Sequence, residues 1–263
     1  MNRPAAPSPP GPAQLALIRL AAMASVLLGW VVLAWLFYSP RLQLFPPPWE
    51  VAVRFVQLAR TELLGDIVAS LQEAIGGWVL GSLLGVALGL LIGRVVLAGL
   101  LLRPLVDFLR FISPLAWVPL AILWFGIGYW SKASIIVLIS LFTVVVNTVQ
   151  GVSAMDADTA KASRSLRLTL VQRMQVGVMI AMPDILVGLR YALGAAWGGV
   201  VLSELVAGDT GLGALEGYGG QSFDVAQIMV GMGVLAGMGY AANWGFMRLQ
   251  RRLFPWIVAN RAK

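Results

Sequence analysis

The chain has 263 residues, of which 59% are hydrophobic and 12% are charged, and its mean hydropathy is +0.83. These values exclude a water-soluble globular domain, because such domains average about 25% charged residues. The absence of His and Cys from the sequence excludes disulfides, thiol nucleophiles, imidazole bases and the common zinc and haem ligand sets. The net charge of +7 comes from basic residues scattered between apolar runs, unlike the basic face of a nucleic-acid-binding protein. We therefore expect a protein of the lipid bilayer with no nucleic-acid partner.

The amino terminus divides into a polar leader and an apolar segment. Residues 1–14 contain five Pro and are predicted to form a disordered cytoplasmic leader. Residues 16–38 are apolar apart from Arg19 and are long enough to cross a bilayer. This segment is longer than a signal-peptide core and lacks a small-residue cleavage site at its end. We therefore predict a first spanning helix that is retained.

Five more segments have the length of a spanning helix. A hydrocarbon core about 30 Å thick requires about 20 apolar residues of helix, and windows of this kind recur along the rest of the chain. The predicted helices are residues 70–93, 111–129, 133–152, 184–207 and 225–248. The sequence thus predicts an all-α, polytopic membrane protein with six transmembrane helices in a single domain over residues 15–256.

Glycine recurs every fourth residue in the second predicted helix. The positions are Gly77, Gly81, Gly85, Gly89 and Gly93. Residues four apart share one helix face, and small residues on that face allow another helix to approach closely. Ordinary packing within the bundle is the commonest reason for such a stripe, and a moving helix interface is the alternative.

Basic residues predict the orientation of the helices. Arg and Lys cluster after the second, fourth and sixth predicted helices, and short cytoplasmic loops retain positive charge. The loop between the fifth and sixth helices contains Asp209, Glu216 and Asp224 and no basic residue. Both termini, including a tail over residues 257–263, are therefore expected in the cytoplasm.

Polar side chains within the predicted helices are candidates for contact with a solute along a translocation path. The set is Ser140, Thr143, Asn147, Gln150, Ser203 and Glu204. Hydrogen bonding between helices is the alternative role, worth ~0.6 kcal/mol per bond on average in membranes. Two other charged residues are predicted to have structural positions. Glu73 is expected at the outer end of the second helix, and Lys132 is expected in a loop.

Residues 158–173 are predicted to form a short cytoplasmic helix between the fourth and fifth spanning helices. The segment has no Gly or Pro, and Asp156 and Asp158 stand where carboxylates stabilise a helix amino terminus. Small residues precede a group of apolar ones, which suits a groove on another protein. An amphipathic helix on the lipid surface explains the pattern equally well.

No phosphate-binding loop is present in the sequence. None of the three lysines follows a Gly, as the G-x-x-x-x-G-K-[ST] pattern requires. The segments between the predicted helices are also too short for a nucleotide-binding domain. We therefore expect a chain that is not an enzyme and holds no cofactor; if it is a subunit of a pump, both its energy and its solute capture must come from partners.

Several stretches, in the same order, resemble the permease subunits of bacterial ATP-binding-cassette (ABC) importers for sulfonates, taurine, nitrate and similar solutes. The resemblance extends over residues 43–256, and its most distinctive parts are residues 124–128 and 188–208. The matching stretches are Phe45-Pro46-Pro47-Pro48-Trp49-Glu50-Val51, Pro114-Leu115-Ala116-Trp117-Val118-Pro119-Leu120, Trp124-Phe125-Gly126-Ile127-Gly128, Gly188-Leu189-Arg190, Gly211-Leu212-Gly213 and Arg251-Arg252-Leu253-Phe254-Pro255-Trp256.

The resemblance implies a type I ABC importer (MetI-like) permease fold in the bacterial inner membrane. It also implies two ATPase subunits that bind ATP and Mg²⁺, a periplasmic binding protein that delivers a small anionic solute, and a second permease copy or a paralogous permease. In this family an "EAA" helix docks into the ATPase. Its implied counterparts here are Ala160, Lys161, Ala162, Ser163, Leu166, Arg167 and Leu168. The loop is degenerate, because Lys161 stands at the acidic position and Arg167 at the Gly position.

An ATP-independent channel or ion-coupled secondary carrier is the alternative function. Such a protein is expected to show inverted halves, interrupted helices or buried carboxylates near the middle of the membrane. The sequence displays none of these signs. The importer permease is therefore the favoured prediction.

Overall fold

The computed structural model of the chain describes residues 11–37, 44–154 and 169–256. These residues form helices joined by short turns, and no strand occurs among them. In chain order the helices are α1 (Pro12–Leu36), α2 (Pro48–Ala59), α3 (Leu63–Arg94), α4 (Val96–Leu109), α5 (Pro114–Phe125), α6 (Tyr129–Ser153), α7 (Leu170–Ala207), α8 (Leu212–Ser222) and α9 (Val225–Leu253).

Five of these helices are long and apolar enough to cross a membrane, namely α1, α3, α6, α7 and α9. Helices α4 and α5 are apolar enough only as a pair, and they meet at a bend of 99°. Counting the bent pair as one crossing gives six. On that count, the all-α membrane fold with six crossings that the sequence predicts is confirmed.

The third predicted helix differs from the structure. The sequence predicts one helix over residues 111–129, whereas α5 begins only at Pro114 and ends at Phe125. Pro114 occupies the first turn of α5, where the missing N–H of proline has no helical partner to lose. Gly126 follows with a φ of 75°, a conformation that glycine adopts without steric cost, and the helix ends there. At 1.5 Å per residue, α5 spans only about 18 Å, less than the hydrocarbon core.

Helix α6 lies at the centre of the bundle, between α3 and α7. The five glycines of the α3 stripe all face α6, and a Cβ atom built on any of them would lie 2.5–2.8 Å from an α6 atom. On the opposite side, Gly188 and Gly199 of α7 approach Asn147 and Ile139 of α6 just as closely. Small residues therefore allow the backbones of α3 and α7 to approach α6 closely along its length.

Helix α7 is the longest helix that the structure describes, with 38 residues. The Thr169 hydroxyl accepts a hydrogen bond from the Gln172 N–H, and the Gln172 side chain accepts one from the Thr169 N–H. This reciprocal pair is a capping box that fixes where the helix begins. A helix of this length measures about 57 Å at 1.5 Å per residue, so its first turns extend beyond a bilayer core.

Helices α2, α8 and α9 pack together beside the end of the bundle where α3 begins. The Arg54 guanidinium of α2 pairs with Asp224 at 2.9 Å and donates to Gln227 Oε1 at 2.7 Å. Asp224 in turn caps α9 by accepting the Gln227 N–H. Helix α1 lies apart and is exposed along nearly its whole length, and the Trp30 indole N–H donates to the Pro46 carbonyl at 3.1 Å.

Candidate functional site

A groove runs along α6 on the side that α4 and α5 cover. It consists of three adjoining cavities, which we name the aromatic, middle and basic cavities from the amino end of α6 to its carboxyl end. The aromatic and middle cavities share Trp117, Ile135 and Leu138, and the middle and basic cavities share Arg110 and Val146. Neighbouring cavities share lining residues, so the three follow one another along most of the length of α6.

The aromatic cavity has a volume of about 400 Å³. Its wall includes Trp117, Trp124 and Phe125 of α5 and Tyr129 and Trp130 of α6. None of the described residues that line it is charged. This end of the groove therefore offers an apolar surface with few groups to hold an ion.

The middle cavity, of about 410 Å³, carries the polar face of α6. The Thr143 hydroxyl donates to the Ile139 carbonyl at 2.8 Å, and the Asn147 amide donates to the Thr143 carbonyl at 2.8 Å. These bonds remain within α6 and use one of the two amide hydrogens of Asn147. Among the described residues the second hydrogen and the amide oxygen have no further partner, and the Asn147 side chain also packs against Gly188 of α7.

The basic cavity has a volume of about 370 Å³. Helix α4 and the turn after it contribute Arg103, Asp107 and Arg110, and α6 contributes Gln150 and Ser153. The Arg110 Nε atom lies 3.2 Å from Asp107 Oδ1. Two arginines against one aspartate leave this end of the groove with a net positive charge, which favours an anion.

The structure divides the six predicted path residues into two groups. Thr143, Asn147 and Gln150 line the groove. The other three, Ser140, Ser203 and Glu204, are fully buried within the subunit. Ser140 packs against Gly81 of α3, and the Ser203 hydroxyl donates to the Val200 carbonyl of its own helix. Because neighbouring helices cover these three side chains, they do not face the groove in this conformation.

A network of buried charged and polar side chains links α3, α6, α7 and α8, and we call it the carboxylate network. Its members are Asp66, Ser70, Glu73, Lys132 and Glu204. The Lys132 ammonium and the Glu73 carboxylate form an ion pair of 2.6 Å, and each side chain is only 3% exposed. Lys132 also donates to the Thr210 carbonyl at 3.3 Å, in the turn before α8.

The network binds the free N–H groups at the start of α8. The Asp66 carboxylate accepts the Gly211 N–H at 2.9 Å, and the Ser70 hydroxyl accepts the Leu212 N–H at 2.9 Å. Glu204 accepts the Ser70 hydroxyl at 2.7 Å and the Gly213 N–H at 2.6 Å. Helix amino termini leave such donors without intrahelical partners, so these side chains fix α8 to the bundle.

Glycine is required at the centre of this arrangement. Gly211 has a φ of 113°, which side-chain-bearing residues rarely adopt. A Cβ atom at this position would also collide with the Glu204 carboxylate. The close approach of Glu204 to the turn before α8 therefore depends on Gly211.

The carboxylate network was not predicted from the sequence. Lys132 is the fourth residue of α6 and is fully enclosed, whereas the sequence places it in a loop. Glu73 is likewise buried and ion-paired, although its sequence position indicated only a helix end. The usable signal is the presence of opposite charges inside otherwise apolar helices, since such charges are costly in a membrane unless they are paired.

The predicted ATPase-contacting residues lie outside the described part of the chain. They are Ala160, Lys161, Ala162, Ser163, Leu166, Arg167 and Leu168. Of the predicted helix over residues 158–173, the structure describes only the last positions, where α7 begins. The predicted leader and tail are outside it over residues 1–10 and 257–263.

Comparison with known proteins gives consistent matches. Residues 81–258 match the family described as binding-protein-dependent transport system inner membrane component. A probable ABC transporter permease of Brucella melitensis is 36% identical over 232 residues, which cover 87% of this chain and 92% of that protein. The taurine transport system permease of Escherichia coli is 30% identical, with coverage of 86% and 84%. A putative aliphatic sulfonates transport permease of Bacillus subtilis is 32% identical, with coverage of 80% and 77%.

The family match extends over more than half of the chain and includes the groove helix α6 and, of the network, Lys132 and Glu204. The relatives align over most of their own lengths. The resemblance inferred from the sequence is confirmed, as is the MetI-like permease fold. The chain belongs to the binding-protein-dependent transport system inner membrane component family, the permease subunits of ABC importers.

Proposed function

We propose that the groove along α6 is this subunit's side of an alternating-access path for a small anionic solute. The observation that carries the proposal is the succession of the three cavities along α6 together with the polarity of two of them. Thr143, Asn147 and Gln150 line the half of the groove that ends at a positively charged opening. The taurine and aliphatic-sulfonate permeases among the relatives support a sulfonate or a similar oxyanion as the solute.

The open side of the groove requires a second wall. A second copy of this chain or a paralogous permease would supply it, and the two subunits would then enclose the path between them. The glycine contacts hold α3, α6 and α7 as one closely packed unit. Movement between the subunits, and at the 99° bend between α4 and α5, would open the path alternately to each side.

Partners would supply the energy and the solute. Two ATPase subunits would bind ATP and Mg²⁺ in the cytoplasm, and a periplasmic binding protein would present the solute. The segment of residues 158–173 is the proposed contact with the ATPase, with both termini on the same cytoplasmic side. The degenerate positions Lys161 and Arg167 would pair with an ATPase groove of matching charge and shape.

The carboxylate network would fix the outer end of the subunit. It joins the start of α8 to α3, α6 and α7 through charged and hydrogen-bonded contacts. A rigid outer rim provides a stable platform on which a binding protein can dock while the inner half of the groove changes shape.

Buried carboxylates also bear on the alternative of an ion-coupled carrier or an ATP-independent channel. A carrier needs such groups near the middle of the membrane. Lys132 is the fourth residue of α6, and Glu204 is the fourth from the end of α7. The second buried carboxylate, Glu73, lies within α3 but is paired with Lys132; because both carboxylates already have partners, a structural role and hence the importer are favoured.

Reconstitution of the assembled transporter tests the proposed function. Proteoliposomes that contain this chain, its ATPase and its binding protein should accumulate taurine or ethanesulfonate against a gradient only when ATP is present on the ATPase side. Omission of the ATPase or the binding protein should abolish accumulation. Uphill accumulation by the purified chain alone would overturn the proposal in favour of a carrier.

A further inference from the structure

Arg110 occupies the junction between the middle and basic cavities of the groove. It follows the last residue of α4 and is among the lining residues of both cavities. A helix carboxyl terminus carries a partial negative charge that stabilises a cation there. A solute at the boundary of the two cavities would therefore lie beside this residue.

Two contacts hold the Arg110 side chain in place. Its Nε atom lies 3.2 Å from Asp107 Oδ1, and its guanidinium carbon lies 4.9 Å from the centre of the Phe111 ring. Asp107 binds the Nε edge of the guanidinium, and the Phe111 ring contacts one face of this planar group. The terminal amino groups are then left as donors, and a guanidinium binds an oxyanion through two parallel hydrogen bonds of this kind.

The surroundings of Arg110 favour an oxyanion over a cation. Of the described residues that line the two cavities, the charged ones are Arg103, Asp107 and Arg110, so the net charge is positive. Asp107 is the one carboxylate, and its charge is already compensated by Arg110. The walls of the middle cavity also include the apolar side chains of Trp117 and Phe142, while the Arg110 side chain stays 37% exposed and so accessible to a solute.

We propose that Arg110 is the oxyanion-binding and charge-selecting residue of the groove. A small sulfonate or comparable oxyanion binds its terminal amino groups at the boundary of the two cavities, within reach of the Asn147 amide. The inference rests on the proposed function in that the groove is taken as the solute path. The phosphate of a lipid headgroup has the same binding chemistry, so a test must separate the two sources.

The absence of Cys from the sequence permits a direct test on the full chain in lipid nanodiscs. Asn147→Cys places a single thiol in the middle cavity. Its labelling rates with an anionic sulfonatoethyl methanethiosulfonate and a cationic trimethylammonioethyl methanethiosulfonate are each divided by the rate with free cysteine. With Arg110 present, the anionic reagent should react at least fivefold faster than the cationic one, because a nearby unit charge attracts one reagent and repels the other.

Arg110→Gln should lower the anionic-to-cationic ratio at Asn147→Cys at least fivefold. Arg248→Gln is the matched control, because Arg248 also lies over an aromatic ring, that of Trp244 at 4.7 Å, but lines none of the three cavities. This control should leave the ratio unchanged. If Asn147→Cys does not yield a monodisperse protein, Thr143→Cys supplies a second thiol in the same cavity. A ratio that is the same with and without Arg110 overturns the proposal.

Protection experiments identify the source of the oxyanion. In phosphatidylcholine nanodiscs, ethanesulfonate should slow labelling of Asn147→Cys by the uncharged methyl methanethiosulfonate at least threefold, and Arg110→Gln should remove this protection. If ethanesulfonate gives no protection while added phosphatidylglycerol suppresses the anionic preference, Arg110 binds lipid and the proposal is overturned. These measurements need no ATPase. If ATP-driven uptake failed, the proposed function would therefore be rejected, whereas the assignment of an anion site at Arg110 would be unaffected.

Discussion

The Glu204 carboxylate at the end of α7 accepts the Gly213 backbone N–H of α8 at 2.6 Å, while its other oxygen accepts the Ser70 hydroxyl. One fully buried side chain thus joins three helices. This contact explains how a short helix of 11 residues, rich in Gly, holds a defined position beside the bundle. Its residues supply little intrinsic helix stability. The side chains that bind its amino terminus stabilise the helix instead.

Replacement of Glu204 by Ala should destabilise the protein. The change leaves the Gly213 N–H and the Ser70 hydroxyl buried without an acceptor, and each such group costs about 1–3 kcal/mol. Thermal unfolding in detergent measures the loss as a lower midpoint. Glu62→Ala, at an exposed position beside the start of α3, is the control and should have little effect. Equal midpoints for the two variants would contradict the role given to Glu204.

The ion pair between Lys132 and Glu73 predicts a strongly non-additive double mutant. Lys132→Met leaves the Glu73 carboxylate buried without its cation, and loss of one partner of a buried pair costs about 3–5 kcal/mol. The double variant Glu73→Leu with Lys132→Met removes both charges and should recover much of that loss. Unfolding midpoints of the two single variants and the double variant form the test cycle. Additive effects would show that the two charges do not interact.

Enlarging the glycine stripe should separate α3 from α6. Gly85→Ala places a Cβ atom 2.8 Å from the Val144 Cβ atom, and overpacking of this kind costs about 1–3 kcal/mol. Gly237→Ala in α9 is the matched control, because a Cβ atom there meets nothing within 4 Å. Detergent stability should fall for Gly85→Ala and should stay equal or rise for Gly237→Ala. A stable Gly85→Ala protein would mean that the helices are less closely packed.

Glu216 of α8 predicts a pH dependence of stability. Burial raises the pKa of its carboxyl from 4.5 to about 7, so the folded state retains a proton that the unfolded state has already released. Stability should therefore decrease as the pH rises from about 4.5 to about 7, because the folded state then binds more protons than the unfolded state.

Glu216→Gln should remove this contribution. The unfolding midpoints of the wild type and of Glu216→Gln are measured at pH 5 and at pH 8. The midpoint of the wild type relative to that of Glu216→Gln should be lower at pH 8 than at pH 5. Glu62→Gln, at an exposed position, serves as the control for the Glu-to-Gln substitution itself. The same difference at both pH values for Glu216→Gln would show that the Glu216 carboxyl titrates in its ordinary range.

The proposed contact of residues 158–173 with the ATPase predicts an uncoupling phenotype. Leu166→Asp or Leu168→Asp places a charge on the apolar positions that the ATPase contact requires, so solute uptake should fall while ATP hydrolysis and membrane insertion persist. Uptake and hydrolysis are measured together in proteoliposomes, with insertion checked by membrane fractionation. Uptake at the wild-type rate would count against this segment as the contact.

Local periodicity in the sequence predicts contacts well when one helix face carries the signal. A Gly at every fourth position predicted a close neighbour for α3, and in the structure α6 lies against all five glycines. Asn147 and Gln150 are three residues apart on α6, and both line the groove. In each case the residues that matter lie within a few turns of one another, so helix geometry alone relates them.

Features that depend on distant parts of the chain could not be predicted in this way. The Lys132 and Glu73 pair joins different helices, and neither residue lies in a recognisable motif. The bend between α4 and α5 follows Arg103, Asp107 and Arg110, which set the predicted start of the third helix near the observed one, but the pairing of α4 with α5 across the bend was not predicted. Pro114 and Gly126 were the available local signals, since proline starts helices and a glycine with positive φ ends them.

Whether the groove along α6 is the solute path is tested most directly by the accessibility of Thr143→Cys in the assembled transporter. A charged, membrane-impermeant thiol reagent is added on the cytoplasmic side, without nucleotide and with ATP and vanadate. Leu249→Cys, an exposed position near the carboxyl end of α9 and outside the three cavities, is the control. Alternating access predicts that the labelling rate at Thr143→Cys differs at least fivefold between the two states, with no change at the control. Equal rates at Thr143→Cys in both states would contradict the account.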